Sequence, residues 1–207
     1  MALRTPTSGG DFELPPQGMH EGRCFKIVDL GTHLNPLFAK EVHKVAVYFE
    51  LPKCLMTEGP NAGQPFTIKQ DYTLSHHQKS QLRGMLEGWY GKRFDTKALD
   101  QAGGFDLEKI LDRPGFINIV HSEDGKYANI ASIAPLPKGF EIPPRHYELF
   151  LFSLEDFNPI AFSKLSPKMQ DYIKQSGEYI KLHSQRPEPS GPKGGSNFDD
   201  LEDDIPF

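Results

Sequence analysis

The sequence predicts an all-β fold with helical additions, and three observations carry that expectation. Gly and Pro number 19 and 18 in 207 residues, a density of chain-reversing residues that suits short strands joined by many turns. Several segments alternate apolar and polar side chains with a period of two, the mark of a half-buried strand. A segment of helical period stands between the third and the fourth of them. With 37% hydrophobic and 25% charged residues, the chain can bury one sizeable core and still carry appendages.

Residues 1–18 read as a flexible lead-in. MHEGRCFKIVDLG (19–31) predicts a first strand, stopped by Gly31. In VHKVAVYFEL (42–51), Val45, Val47, Phe49 and Leu51 share one face, and Lys44, Ala46, Tyr48 and Glu50 the other. A turn with Gly59, Pro60, Asn61 and Gly63 leads into QPFTIKQDYTL (64–74), where Phe66, Ile68, Gln70, Tyr72 and Leu74 share a face. Ser75 opens a helix, with Gln78 at capping-box spacing. Leu82, Met85, Leu86 and Trp89 then form one apolar stripe, and Gly91 ends it. FDLEKILDRPG (105–115) predicts a short second helix closed by Pro114-Gly115. FINIVHS (116–122) and KYANIASIA (126–134) complete the strands around a tight turn at Asp124-Gly125.

Strands, a helical insert, then two more strands is the order of a five-stranded OB-fold barrel, with the helix between strands 3 and 4. Residues 19–134 would form that domain. A plain β-sandwich shares the turn signals. The helical segment falls in the expected gap with a core-facing stripe, which favours the barrel.

Residues 135–183 predict a strand/helix appendix packed on the barrel or on a neighbouring subunit of a homo-oligomer. Pro135, Pro137, Pro143 and Pro144 stiffen the exit, and ELFLFSL (148–154) is a short apolar strand. Ser166-Pro167 supplies an N-cap and a first-turn proline. Met169, Tyr172 and Ile173 are the stripe of that helix, and Gly177 can end it. SQRPEPSGPKGGSN (184–197) has linker composition. The tip, 198–207, carries five acids and no base and closes on Ile205, Pro206 and Phe207. A solvated tail accounts for the acids but not for the apolar end. A terminal aromatic suits capture by a partner: the ring enters a pocket, the carboxylate meets basic groups, and the acids steer the approach.

Net charge is −5, of which residues 184–207 contribute −4 and the rest of the chain −1. A near-neutral body can hold a basic groove without advertising one. No apolar run is long enough for a membrane-spanning helix. The start of the chain lacks the apolar core of a signal peptide, so a cytoplasmic protein without membrane partners is expected. Cys24 and Cys54 give no disulfide framework, which fits a reducing compartment.

NFDDLEDDIPF (197–207) resembles the acidic tip of bacterial-type single-stranded DNA-binding proteins, which also follows a Gly/Pro-rich linker. YTLSHHQKSQLRGMLEGWYGKRF (72–94) and KYANIASIAPLPKG (126–139) resemble a family of phage-encoded OB-fold ssDNA-binding replication proteins, a likeness covering most of residues 14–183. The resemblance implies a barrel that coats single strands in DNA replication, recombination and repair. It also implies a tip, with Asp199, Asp200, Asp203, Asp204, Ile205, Pro206 and Phe207, that recruits replication and repair enzymes in the cytoplasm of an infected bacterial host.

Single-strand binding needs cations along the phosphates and rings that stack on bases. Lys44 and Tyr48 share a face of the second strand; the competing reading is an ordinary solvent face. Lys69 lies opposite Tyr72 on the third strand. Tyr72, Phe25 and Tyr127 are candidate stacking rings that core burial would equally explain. Arg23 is placed for a phosphate at the start of the barrel. Lys79 and Arg83 lie one helical turn apart, off the apolar stripe, where a solvated face competes with phosphate binding. Lys92 and Arg93 follow in a loop at the groove edge. Trp89 completes the apolar stripe and reads as core.

An enzyme is not expected. The chain has no Walker loop and no GxGxxG fingerprint, and nothing pairs a nucleophile with a base. No cofactor is implied. His76 and His77 diverge at a helix start, the cysteines lack CxxC spacing, and the Asp run has no calcium-loop pattern, so no metal site is expected. An alternative function remains: a protein-interaction adaptor or decoy whose tail mimics such a tip and diverts host replication enzymes.

Overall fold

A computed structural model describes residues 13–35, 39–142 and 144–184. They form a mostly antiparallel six-stranded sheet with short helices. β1 (Gly18–Asn35), β2 (Lys40–Leu55) and β3 (Pro65–Thr73) form a meander, and β4 (Pro114–His121) and β5 (Ala128–Ala134) form a hairpin. The ladder runs as an open path β3-β2-β1-β4-β5, and β5 returns to contact β3. β6 (Phe150–Phe152) joins from the appendix, parallel to β1.

β1 serves several neighbours because it is bulged. Arg23 is its last residue paired with β4, and Lys26 to Val28 pair with β6 along the same edge. Register shifts against β2 leave Phe25 and Leu30 as extra residues. An extra residue switches which side chains face inward. Cys24 and Ile27 therefore both enter the core although they are three apart. Gly31 does not stop the strand. It adopts φ +76° inside the second bulge, a conformation natural to glycine, and the strand continues to Asn35.

The inner core follows the alternation of β2. Val45, Val47, Phe49 and Leu51 pack with Phe66, Ile68 and Tyr72 of β3 and with Leu82, Leu86 and Trp89. The last three belong to α1 (Gln81–Tyr90), which lies against β5 and β3. Its N-cap is Ser80, whose hydroxyl accepts from the Arg83 N–H, rather than Ser75; the Gln78 side chain reaches Thr96 instead of forming a capping box. Segment 105–115 holds a 3-10 turn, Leu107–Ile110, in place of the expected helix, and Pro114-Gly115 begin β4 instead of closing that helix. α2 (Thr96–Gln101) was not foreseen, since it buries no residue and so has no apolar stripe.

The appendix packs on this chain's own sheet. Val28, Leu30 and Ala46, on the outer face of β1 and β2, form a second core with Phe152, Leu154, Phe162, Leu165 and Ile173. Phe162 lies on α3 (Pro159–Ser163) and Ile173 on α4 (Pro167–Lys174). Ser166 has N-cap backbone geometry for α4 but makes no side-chain capping bond. Gly177 opens α5 (Gly177–Ser184) rather than ending α4. Gly31 admits this layer closely, because a Cβ there would collide with Ser176 and Leu154.

Candidate nucleic-acid interface

The outer face of β2 and β3 carries the sequence's best candidates in register. Tyr48 stands opposite Lys69, Ala46 opposite Asp71, and Lys44 opposite Thr73. Alternation alone makes this a solvent face, yet Ala46 and Glu50 are fully buried. The cause is the appendix. Lys44 Nζ donates to the Tyr172 hydroxyl of α4 at 3.4 Å, and the Tyr48 hydroxyl meets Met169 Sδ at 3.8 Å. Glu50 accepts the backbone N–H groups of His146 and Tyr147 and lies 3.8 Å from Arg23. On β3 the outer face stays open, with Thr67, Lys69, Asp71 and Thr73 exposed.

Between that open strip and α4 runs a groove of about 400 Å³, with Tyr48, Lys69 and Asp71 on the sheet side and Lys168, Met169 and Tyr172 on the helix side. Lys168 and Tyr172, four residues apart on α4, lie about one helical turn from each other. Lys26 Nζ lies 5.0 Å from the centre of the Tyr48 ring. Burial lowers the Lys26 pKa, and burial followed by the Asp71 charge pushes the Tyr48 phenol up to about 12. Tyr172 stacks on His33 with ring centres 3.9 Å apart. Asp71, which pairs with Lys69 at 3.0 Å, is the acid among the groove's lining residues. Ammonium groups beside tyrosine rings can neutralise phosphates and stack on bases.

Other candidates are placed differently. Phe25 and Tyr72 are 8% and 6% exposed, so neither offers a ring face to a base. Phe25 stacks on Tyr147, and Tyr72 belongs to the inner core. Arg23 is held by Asp112 at 3.0 Å and lies beside Glu50, which directs its charge inward. Arg83 is 4% exposed; it donates to Glu87, Thr96 and the carbonyls of His76 and Phe94, so it ties α1 to the chain that follows. Lys79, Lys92 and Arg93 are exposed, and Tyr127 stands out at the β4–β5 turn, 66% exposed. None of these lines the groove.

The sequence reading missed Lys26 and Lys168 and assigned Tyr172 to packing alone. The available signal was the helix-opening Ser166-Pro167, which fixes the phase of α4. Trp89 is fully buried, as expected of the stripe, and its indole donates to the Pro114 carbonyl at 2.8 Å. Asp199, Asp200, Asp203, Asp204, Ile205, Pro206 and Phe207 lie outside the described residues. Among the described residues, no group of three or more His, Cys, Asp or Glu is placed to hold a metal ion. No helix among them is long and apolar enough to cross a membrane. Comparison with known proteins gave no match to a family model, to a curated protein or to a solved structure.

Proposed function

We propose that this protein binds single-stranded DNA without sequence preference along the outer face of β2 and β3, and recruits replication and repair enzymes through residues 198–207. The observation that carries the reading is the groove in which Tyr48 and Lys69 face Lys168 and Tyr172. The strand path supports it. The order β3-β2-β1-β4-β5, with a helix between β3 and β4, matches the strand order of an OB-fold. In OB-folds the face of strands 2 and 3 is the one that takes oligonucleotides. Stacking accepts any base, hence the lack of sequence preference.

The test is anisotropy of a labelled oligo-dT across a salt series. Trp89 is buried, so its own emission is a poor reporter. Binding should weaken steeply with salt, log K falling by about 0.7 per decade of salt for each phosphate neutralised. Phe207→Ala should abolish capture of replication enzymes and spare DNA binding, because it deletes the anchor and keeps the acids. Removing residues 198–207 should leave ssDNA affinity equal or higher, since the acids compete with phosphates for the same cations. Absence of oligo-dT binding at low salt, with enzyme capture intact, would leave the adaptor reading in its place.

A further inference from the structure

We propose a second binding site, for protein rather than DNA. The cleft between β6 and residues 103–108 accepts an extended peptide that alternates apolar and basic side chains and adds a strand to β6. The cleft has a volume of about 770 Å³. One wall is Leu151 to Glu155, the other Gly103 to Glu108, and Leu82 and Leu86 of α1 lie at its base. β6 has β1 on one side; on the other it has no strand among the described residues. Such an edge presents backbone N–H and C=O groups to a further strand.

The side chains suit one class of occupant. Leu151 pairs in register with Ile27, a residue of the inner core, so its side chain stands on the cleft side of β6. Leu151 and Leu74 line the cleft and are 41% and 40% exposed, apolar surface with nothing upon it in the chain described. Glu108 and Glu155 line it as exposed carboxylates, as does Asp106, which also caps the 3-10 turn through the Glu108 N–H and lies 3.8 Å from Lys109. Asp29 and Glu178 also reach it, but they are committed internally to Leu154 N–H and to Thr32. Arg83 is the lysine or arginine among the lining residues, and it is buried and paired with Glu87. The cleft is therefore negative, and phosphates are repelled from it. A strand sends successive side chains to opposite sides, so an alternating peptide can direct one set to the leucines and the other to the acids while its backbone pairs with β6.

The probe is a labelled, end-capped Lys-Val-Lys-Val-Lys-Val peptide titrated into the full chain. Binding should saturate and should slow amide exchange within β6, Phe150–Phe152. Glu155→Lys should weaken it about tenfold, as expected for reversal of a rim charge. Leu151→Thr should weaken it too, while the far-UV circular dichroism and the unfolding transition of both variants stay unchanged and report that they are folded. The same peptide N-methylated at alternate residues cannot pair and should not bind, and a Glu-Val counterpart should not bind. Equal binding of the N-methylated peptide, no exchange protection at β6, or indifference to Glu155→Lys would each overturn the proposal. None of these outcomes depends on whether the β2–β3 groove binds DNA.

Discussion

The inner face of the β1–β2 ribbon is buried by its own sheet and by α1, which follows directly after β3. The outer face is buried by β6 and the helices of the appendix, which arrive only at the end of the described chain. Both cores are apolar. They differ in what secures them at the edge. The inner core is enclosed by strand ladders and by the Arg83 network of α1. The outer one is pinned by carboxylates: Asp29 accepts the Leu154 N–H, Glu178 accepts from Thr32, and Glu50 accepts from His146 and Tyr147. A layer held by a modest apolar patch and polar pins should open before the sheet beneath it does.

The largest effect that tests this contrast is Trp89→Ala. It removes a fully buried ring and should cost about 3–5 kcal/mol, lowering the unfolding transition of the sheet in chemical denaturation. Ile173→Ala, in the outer core, should cost about 2–5 kcal/mol of the appendix's own stability. Hydrogen exchange should then quicken in α3–α5 while β2 keeps its protection. Equal loss of protection in both layers would show one cooperative unit instead.

A smaller effect probes the seam as a binding wall. Lys168→Ala should flatten the salt dependence of oligo-dT binding by about 0.7. An unchanged slope would remove α4 from the groove.

The smallest effect concerns pH. His43 lies between Asp29, at 2.6 Å, and Glu178, at 3.7 Å, where sheet and appendix meet. The hydrogen bond to Asp29 raises the His43 pKa above its ordinary 6.5, against the opposing pull of burial. A raised value in the folded state stabilises the seam in full below the unfolded value, and that contribution is lost as pH rises through the folded one. Glu178 behaves oppositely. Burial pushes it up, but the Thr32 hydroxyl and N–H and the His43 charge hold it below its ordinary value, so its contribution fades as pH falls. The seam should therefore loosen as pH rises above about 6.5, followed by limited proteolysis of the appendix, and His43→Asn should flatten that dependence.

The inner core was legible in the sequence because its period is local: Val45, Val47, Phe49 and Leu51 announce their face without reference to anything distant. The outer core was not. Ala46 and Glu50 look like solvent-side residues until the returning chain is laid upon them. Gly31 misled because a glycine marks a strand end and a bulge with the same letter. Ser75 misled because its Gln78 completes a capping pattern, although Ser80 stands closer to the apolar stripe. Arg83 looked like a surface cation, yet Glu87 one turn on was a visible partner. For the groove, Tyr48 and Lys69 were readable from strand phase, whereas the apposition of Lys168 and Tyr172 depends on a tertiary contact that no local pattern carries.

The pairing of Lys26 with Phe150 also sets an order of events during synthesis. β1, β2 and β3 leave the ribosome with Val28, Leu30 and Ala46 uncovered, and these stay wet until α3 and α4 emerge. For that interval the nascent chain presents an apolar stripe and an unpaired stretch of β1 edge, the combination through which incomplete chains stick to one another. A product cut short between β5 and β6 would hold this exposed state permanently, so premature termination there should yield aggregates rather than a smaller working sheet.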